Sequence, residues 1–173
     1  MKNFMKTNKA AFFDRDGTLI NDINYLSRLE DVVLIPKAVS LCRFLANQGY
    51  KIFVVTNQSG IARGFFDEQF VQQTHAHLDA LLREQGIAVD GWYYCPHHPE
   101  TGAVSEYITP CLCRKPMPGM LQKAAHEHNL DLKNSLMFGD KLLDLQAGWA
   151  AGCRSFEIKR ALQLSDQQMA FLY

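Results

Sequence analysis

The chain has no excess of charge of either sign: 18 lysines and arginines stand against 18 aspartates and glutamates in 173 residues. A protein drawn onto nucleic acid or an anionic membrane by a global field needs a basic surplus, so neither partner is expected, and a phosphorylated ligand must meet local positive charge. Long apolar runs are missing as well; nothing approaches the roughly 20 residues of a membrane-spanning helix. Residues 1–9 hold Lys2, Lys6 and Lys9 with no apolar stretch of signal-peptide length after them, so the expected location is the cytoplasm. Cysteine is sparse and odd in number, at five, which speaks against a disulfide framework. Repeats, linkers and low-complexity tracts are absent. Residues 1–173 therefore read as a single domain, large enough to bury about 70% of its unfolded surface without covalent staples. No apolar stripe is left over after the expected core, and a monomer is expected.

What is present alternates. Short runs rich in Phe, Val, Ile and Tyr predict strands at Ala10 to Asp14, Lys51 to Thr56, Trp92 to Cys95, Ser135 to Gly139 and Cys153 to Ile158. Segments of helical period lie between them. Pro36 and Gly49 bracket one, with Val39, Cys42, Leu45 and Ala46 inward. Asp67 to Gln85 places Phe70, Thr74, Leu78, Leu81 and Leu82 on one face. Pro118 to His128, Leu142 to Ala151 and a weak terminal helix from Ser165 to Leu172 follow. This alternation predicts an α/β, Rossmann-like, doubly wound parallel sheet. Such sheets bind ligands beyond the carboxyl ends of their strands. The polar loops Asn57 to Phe66 and Pro96 to Pro118 emerge at that edge.

So does Asp14-Arg15-Asp16-Gly17-Thr18, directly after the first run. Asp14 and Asp16 leave the strand end on the same side, and two adjacent carboxylates call for a divalent cation, a shared proton or solvent. One reading makes Asp14 a nucleophile with its other oxygen on Mg²⁺ and Asp16 a general acid and base. The plainer one is a solvated turn, for which Asp and Gly are ordinary residues.

Three further motifs decide between these. Thr56-Asn57-Gln58 follows the second strand, Lys115 lies in Cys113-Arg114-Lys115-Pro116, and Gly139-Asp140-Lys141 with Asp144 follows the fourth strand. In this order the four resemble the motifs of the haloacid dehalogenase superfamily of phosphatases. The resemblance implies Mg²⁺ held by the carboxylates of Asp14 and Asp140 and the backbone carbonyl of Asp16. It implies that Lys115 contacts both Asp14 and a phosphate oxygen, and that the Thr56 hydroxyl and amides near Asn57 cradle the phosphate. Asp144 would orient Lys141 or a water, ranking below Asp140 as a metal ligand.

Cys95-Pro96-His97-His98 and Cys111-Leu112-Cys113 place good Zn²⁺ ligands in two close pairs. Three cysteines and one histidine make a closed structural set. His98 competes with His97 for the fourth position, and the family pattern favours His97. The alternative is a group of unligated thiols, although a polar, proline-flanked loop is a poor core. A clip at residues 95–113 would fix Arg114 and Lys115, which follow its last ligand. Cys42 and Cys153 read as core thiols.

Thr56-Asn57-Gln58-Ser59-Gly60-Ile61-Ala62-Arg63-Gly64, the cysteine loop and Cys113-Arg114-Lys115-Pro116 together resemble one subgroup, the heptose bisphosphate 7-phosphatases and related histidinol phosphate phosphatases. That implies no large cap domain, and substrate contacts at Arg15, at Asp22, Ile23, Asn24 and Tyr25, at Asn57, Gln58 and Ser59, and at Arg114 and Lys141. Arg114 would take the distal phosphate of a small sugar bisphosphate. The implied reaction is hydrolysis of the 7-phosphate of D-glycero-D-manno-heptose 1,7-bisphosphate through an aspartyl phosphate, toward nucleotide-activated heptose for lipopolysaccharide or a related surface glycan. Histidinol phosphate is the alternative substrate. A non-catalytic, zinc-stabilised binding protein is a more distant alternative. Asp22-Ile23-Asn24-Tyr25 departs from the polar, glycine-containing turn that the subgroup leads one to expect.

Overall fold

A computed structural model describes residues 8–164 and residue 168; the helix expected from Ser165 to Leu172 lies, apart from Gln168, outside the described residues. Five parallel strands, β1 (Ala10–Phe13), β2 (Lys51–Asn57), β3 (Gly91–Cys95), β4 (Leu136–Gly139) and β5 (Arg154–Glu157), form a sheet in the order β3-β2-β1-β4-β5. Helices α1 (Pro36–Asn47), α2 (Glu68–Glu84), α3 (Gly119–His128), α4 (Leu142–Ala151) and α5 (Ile158–Ala161) connect or follow them. The doubly wound architecture expected from the alternation is the one observed, without a large cap. No helix of the described residues is long and apolar enough to cross a membrane.

The sheet is covered on both faces, which is why β1 is apolar and buried at all four positions. Period-two alternation sends Ala11 and Phe13 to one face, with Leu41 and Leu45 of α1, Leu78 and Leu82 of α2 and Ile158 of α5. It sends Ala10 and Phe12 to the other, with Met120, Leu121 and Ala124 of α3 and Ala147 of α4. Phe13 stacks on Phe138 at 5.0 Å between ring centroids. Each fully buried Phe is worth roughly 2–3 kcal/mol of transfer free energy, so the strands that carry the motifs are also the most firmly anchored.

One helix face differs from expectation. On α2 the buried positions are Val71, Thr74, His75, Leu78 and Leu82, while Phe70 and Leu81 are half-buried. His75 takes the inward place because its ring stacks on Trp92 of β3 at 4.8 Å.

The chain winds outward from β1 to β3 and then crosses back to β4 on the other side of β1. Strand order therefore reverses at β1, and the carboxyl ends of β1, β2 and β4 frame the crevice.

Candidate active site

A cavity of about 210 Å³ opens at that crevice. It is bordered by Asp14, Arg15, Asp16, Asp22, Asn24, Tyr25, Thr56, Asn57, Gln58, Ser59, Arg114, Lys115, Lys141 and Asp144. Of the expected substrate-contacting residues, Ile23 alone is not among its walls; its side chain is 45% exposed on the surface. Its neighbours Asp22, Asn24 and Tyr25, also exposed, border the cleft.

Lys115 organises the floor. Its ammonium lies 2.8 Å from Asp14 Oδ1 and 2.7 Å from Asp144 Oδ1 and donates to the Val55 carbonyl at 2.8 Å. Burial alone would lower its pKa; the carboxylates, Asp14 first, outweigh that and hold the ammonium above its ordinary range. Asn57 ties the lysine's backbone from both sides, its Nδ2 donating to Lys115 O at 3.1 Å and its Oδ1 accepting from Lys115 N at 3.0 Å. Asp144 thus orients Lys115, a role the sequence reading did not give it. Its Oδ2 also accepts the Lys141 backbone N–H at 3.0 Å, capping α4.

Oxygens of Asp14, Asp140 and Asp144 lie within 4.8 Å of one another. Asp14 and Asp144 share the one ammonium of Lys115, Asp140 adds a third carboxylate beside them, and the surplus charge shows. Burial pushes the Asp14 carboxyl up despite Lys115. Burial first, and the Asp14 charge second, raise Asp140 to about 6. Asp140 Oδ1 is buried with no hydrogen-bond partner among the described residues. Gly17, in the left-handed region at φ +77°, leaves room for this carboxylate: a Cβ there would stand 2.5 Å from Asp140 Oδ2. An all-oxygen donor set with excess negative charge fits a hard divalent cation.

Asp16 is held by Arg15 and by Gln58, whose Nε2 donates to Asp16 Oδ2 at 2.9 Å and to Thr56 Oγ1 at 2.8 Å. Because Thr56 accepts from Gln58, its own hydroxyl proton is left for an acceptor in the cleft. Arg15 borders the cleft, but its side chain is only 3% exposed and pairs with Asp16, so the guanidinium expected to contact substrate is directed to Asp16 instead.

At the outer rim Lys141 Nζ meets Asp22 Oδ2 at 3.1 Å. Asn24 N–H donates to Asp22 Oδ1 at 3.0 Å, and with Lys141 this holds the Asp22 carboxyl below its ordinary range. Asn24 and Tyr25 both have positive φ, 55° and 63°. The turn thus adopts the conformation glycine would favour without having one.

Beyond the cleft, Cys113 Sγ lies 3.2 Å from both Cys95 Sγ and Cys111 Sγ, and His97 Nδ1 lies 3.5 Å from Cys113 Sγ. These cysteines are not disulfide-bonded. Four ligands on arms of about 2.3 Å would stand roughly 3.8 Å apart, so the cluster fits one tetrahedral ion. His98 is directed elsewhere: its Nδ1 accepts from Thr101 N at 2.9 Å.

The family profile of the haloacid dehalogenase-like hydrolases matches residues 24–152. The D-glycero-β-D-manno-heptose-1,7-bisphosphate 7-phosphatase of Yersinia pestis is 46% identical over 143 residues, covering 82% of this chain and 75% of that protein. The corresponding phosphatase for the α-anomer from Photorhabdus laumondii is 39% identical over 159 residues, 91% of this chain and 86% of that protein. The crystal structure of D,D-heptose 1,7-bisphosphate phosphatase from B. bronchiseptica, complexed with magnesium and phosphate, superposes with a TM-score of 0.75 at 30% identity, over 94% of this chain and 86% of that one.

Proposed function

The chain belongs to the haloacid dehalogenase-like hydrolases, and from that premise we propose that it is the phosphatase that removes the 7-phosphate of D-glycero-D-manno-heptose 1,7-bisphosphate in the cytoplasm. Its product keeps the 1-phosphate for nucleotidyl transfer, as the making of activated heptose for lipopolysaccharide requires.

Asp14 and Asp140, with the Asp16 carbonyl, would hold Mg²⁺, which when bound neutralises charge on the anionic ester. Lys115 offsets part of the burial that raises the Asp14 carboxyl and fixes it in the cleft, its ionisation being completed when the cation is bound. An Asp14 carboxylate oxygen attacks phosphorus in line, and the bond to the sugar oxygen breaks as Asp16 gives that oxygen its proton. Thr56 O–H donates to the phosphoryl oxygens through the transition state, and the Lys115 ammonium, its protons held by Asp14, Asp144 and the Val55 carbonyl, offsets their charge from beside the nucleophile. Asp16, now a carboxylate, takes a proton from a water that attacks the phosphorus of the aspartyl phosphate, releasing phosphate and Asp14. Zn²⁺ on Cys95, His97, Cys111 and Cys113 would order the loop that delivers Arg114 and Lys115.

The observation that carries the bisphosphate assignment is a charge count. The cleft has four basic side chains. Arg15 is matched by Asp16, Lys115 by Asp14 and Asp144, and Lys141 by Asp22. Arg114 makes no ion pair among the described residues; its Nη1 donates to His97 O at 3.0 Å, and the rest of its fork is available to a second phosphate. Histidinol phosphate offers an ammonium where Arg114 offers a cation.

Phosphate release with Mg²⁺ from both heptose bisphosphate anomers and from histidinol phosphate tests the reading, beside Asp14→Asn and Arg114→Ala. We expect the bisphosphate to be preferred, Asp14→Asn to be folded and inactive, and Arg114→Ala to raise KM for the bisphosphate about tenfold or more. A preference for histidinol phosphate would overturn the substrate, and turnover by Asp14→Asn would overturn the mechanism.

A further inference from the structure

We infer that Arg15 is a positioning residue for the acid–base step, a buried guanidinium that holds the Asp16 carboxylate at one place and angle for both proton transfers. Neighbouring residues of a strand point to opposite faces, so Arg15 and Asp16 can pair only because the chain turns at once after β1. Leu19 N and Ile20 N both donate to Arg15 O, and Gly17 N donates to Ile20 O. Inside that loop Arg15 Nε lies 3.1 Å from Asp16 Oδ2 and 3.3 Å from Oδ1, while Nη2 lies 3.2 Å from Oδ1. Both carboxylate oxygens are therefore gripped, and Gln58 adds a third hold from β2's end.

Nothing about stability calls for an arginine here. Its side chain is 3% exposed, and Asp16 is its sole ion partner among the described residues. A buried pair of this kind is often no more stable than apolar residues of similar volume. His75, close enough to feel the Arg15 charge, is 6% exposed, and its Nε2, like Arg15 Nη1, is buried without a hydrogen-bond partner among the described residues. Burial, and the Arg15 charge after it, lower His75 to about 3, so the imidazole facing that charge is neutral. Asp16 itself keeps 23% of its side chain exposed, on the cleft side. The arrangement is a fixed cation at the back and a held carboxylate whose front edge opens on the cleft.

The inference rests on Asp16 being the acid and base, and the test separates the two. An alkyl phosphate needs a proton on its leaving oxygen; p-nitrophenyl phosphate does not, since nitrophenolate leaves as an anion. Rapid-mixing measurements on Arg15→Met should show phosphoryl transfer from a simple alkyl phosphate slowed about 100-fold, KM little changed, and the first burst of nitrophenolate within a few-fold of wild type. Asp16→Asn should show the same split, and Arg15→Met with Asp16→Asn together should be no slower than Asp16→Asn alone. The Mg²⁺-induced rise in melting temperature should persist in Arg15→Met. Equal slowing with both esters, full additivity, or no slowing would overturn the inference. If Arg15→Met does not fold, Arg15→Lys, which keeps the charge and loses the fork, gives the same readout. A missing split in Asp16→Asn would instead sink the assignment of Asp16, and failure with heptose bisphosphate alone would sink only the substrate.

Discussion

The Lys115 ammonium and the Asp144 carboxylate meet at 2.7 Å with 1% of either side chain exposed, so the amine beside the nucleophile is itself held from behind. Removing the lysine leaves two carboxylates facing each other in the interior. Lys115→Met should cost about 3–5 kcal/mol of stability without Mg²⁺ and abolish turnover. Asp144→Asn keeps the volume and loses the grip; kcat should fall more than KM changes. Urea denaturation and steady-state kinetics check both, and a wild-type kcat in Asp144→Asn would show that the pair is dispensable.

Zinc should act at a distance from the chemistry. Cys113 is joined to Lys115 through Arg114 alone, and Arg114 is hydrogen-bonded to the carbonyl of His97, itself in the cluster. Cys113→Ser should lower metal content, melting temperature and activity together, even at saturating Mg²⁺. His98→Ala should leave zinc content at one per chain, because His98 Nδ1 is occupied by the amides of Glu100 and Thr101. Metal analysis of both variants decides; loss of zinc from His98→Ala would exchange the two histidines.

Much of this was legible in the residues. Alternating apolar runs fixed the strand positions to within a residue or two because β1, β2 and β4 are buried on both faces and tolerate little else. The motifs sit where their order puts them along the sheet edge: Asp14 and Asp140 directly after β1 and β4, Thr56 near the end of β2 and Lys115 on the cysteine loop. What stayed hidden depended on contacts between distant or oddly directed side chains. Asp144 reads as a motif acid that orients Lys141 or a water, and only the fold brings it to Lys115, 29 residues earlier in the chain. Arg15 reads as a substrate contact between two site aspartates, and only the tight loop turns its guanidinium onto Asp16. His75 occupies a position that periodicity alone gives to a hydrophobe; its stacking on Trp92 explains the exception.

Gly17 is required by two independent constraints. Its φ of +77° disfavours any side chain, and a Cβ there would press against Asp140. Gly17→Ala should therefore weaken Mg²⁺ binding and turnover while altering the distant zinc cluster little. Calorimetric titration with Mg²⁺ on the variant checks this; undiminished Mg²⁺ affinity would mean that Asp140 can move without loss.

The acid cluster also predicts how stability depends on pH. Asp140 titrates near 6 in the folded protein instead of its ordinary 3.8, and Asp14 is shifted in the same direction. The folded state thus binds protons more tightly than the unfolded one, and stability from these groups is fully present at low pH and lost as pH rises through about 4 to 6. Mg²⁺ needs the ionised form, so its apparent affinity should climb over the same interval and level off above it. Metal-free wild type and Asp140→Asn should therefore diverge in melting temperature as pH rises from about 4 to about 6 and hold a constant difference above that, with the variant the more stable. Adding Mg²⁺ should reverse the order by stabilising only the wild type. If the difference between the two proteins is flat from pH 4 to pH 7 (roughly the span in which the carboxyl changes charge), the burial of Asp140 is not straining the metal-free fold.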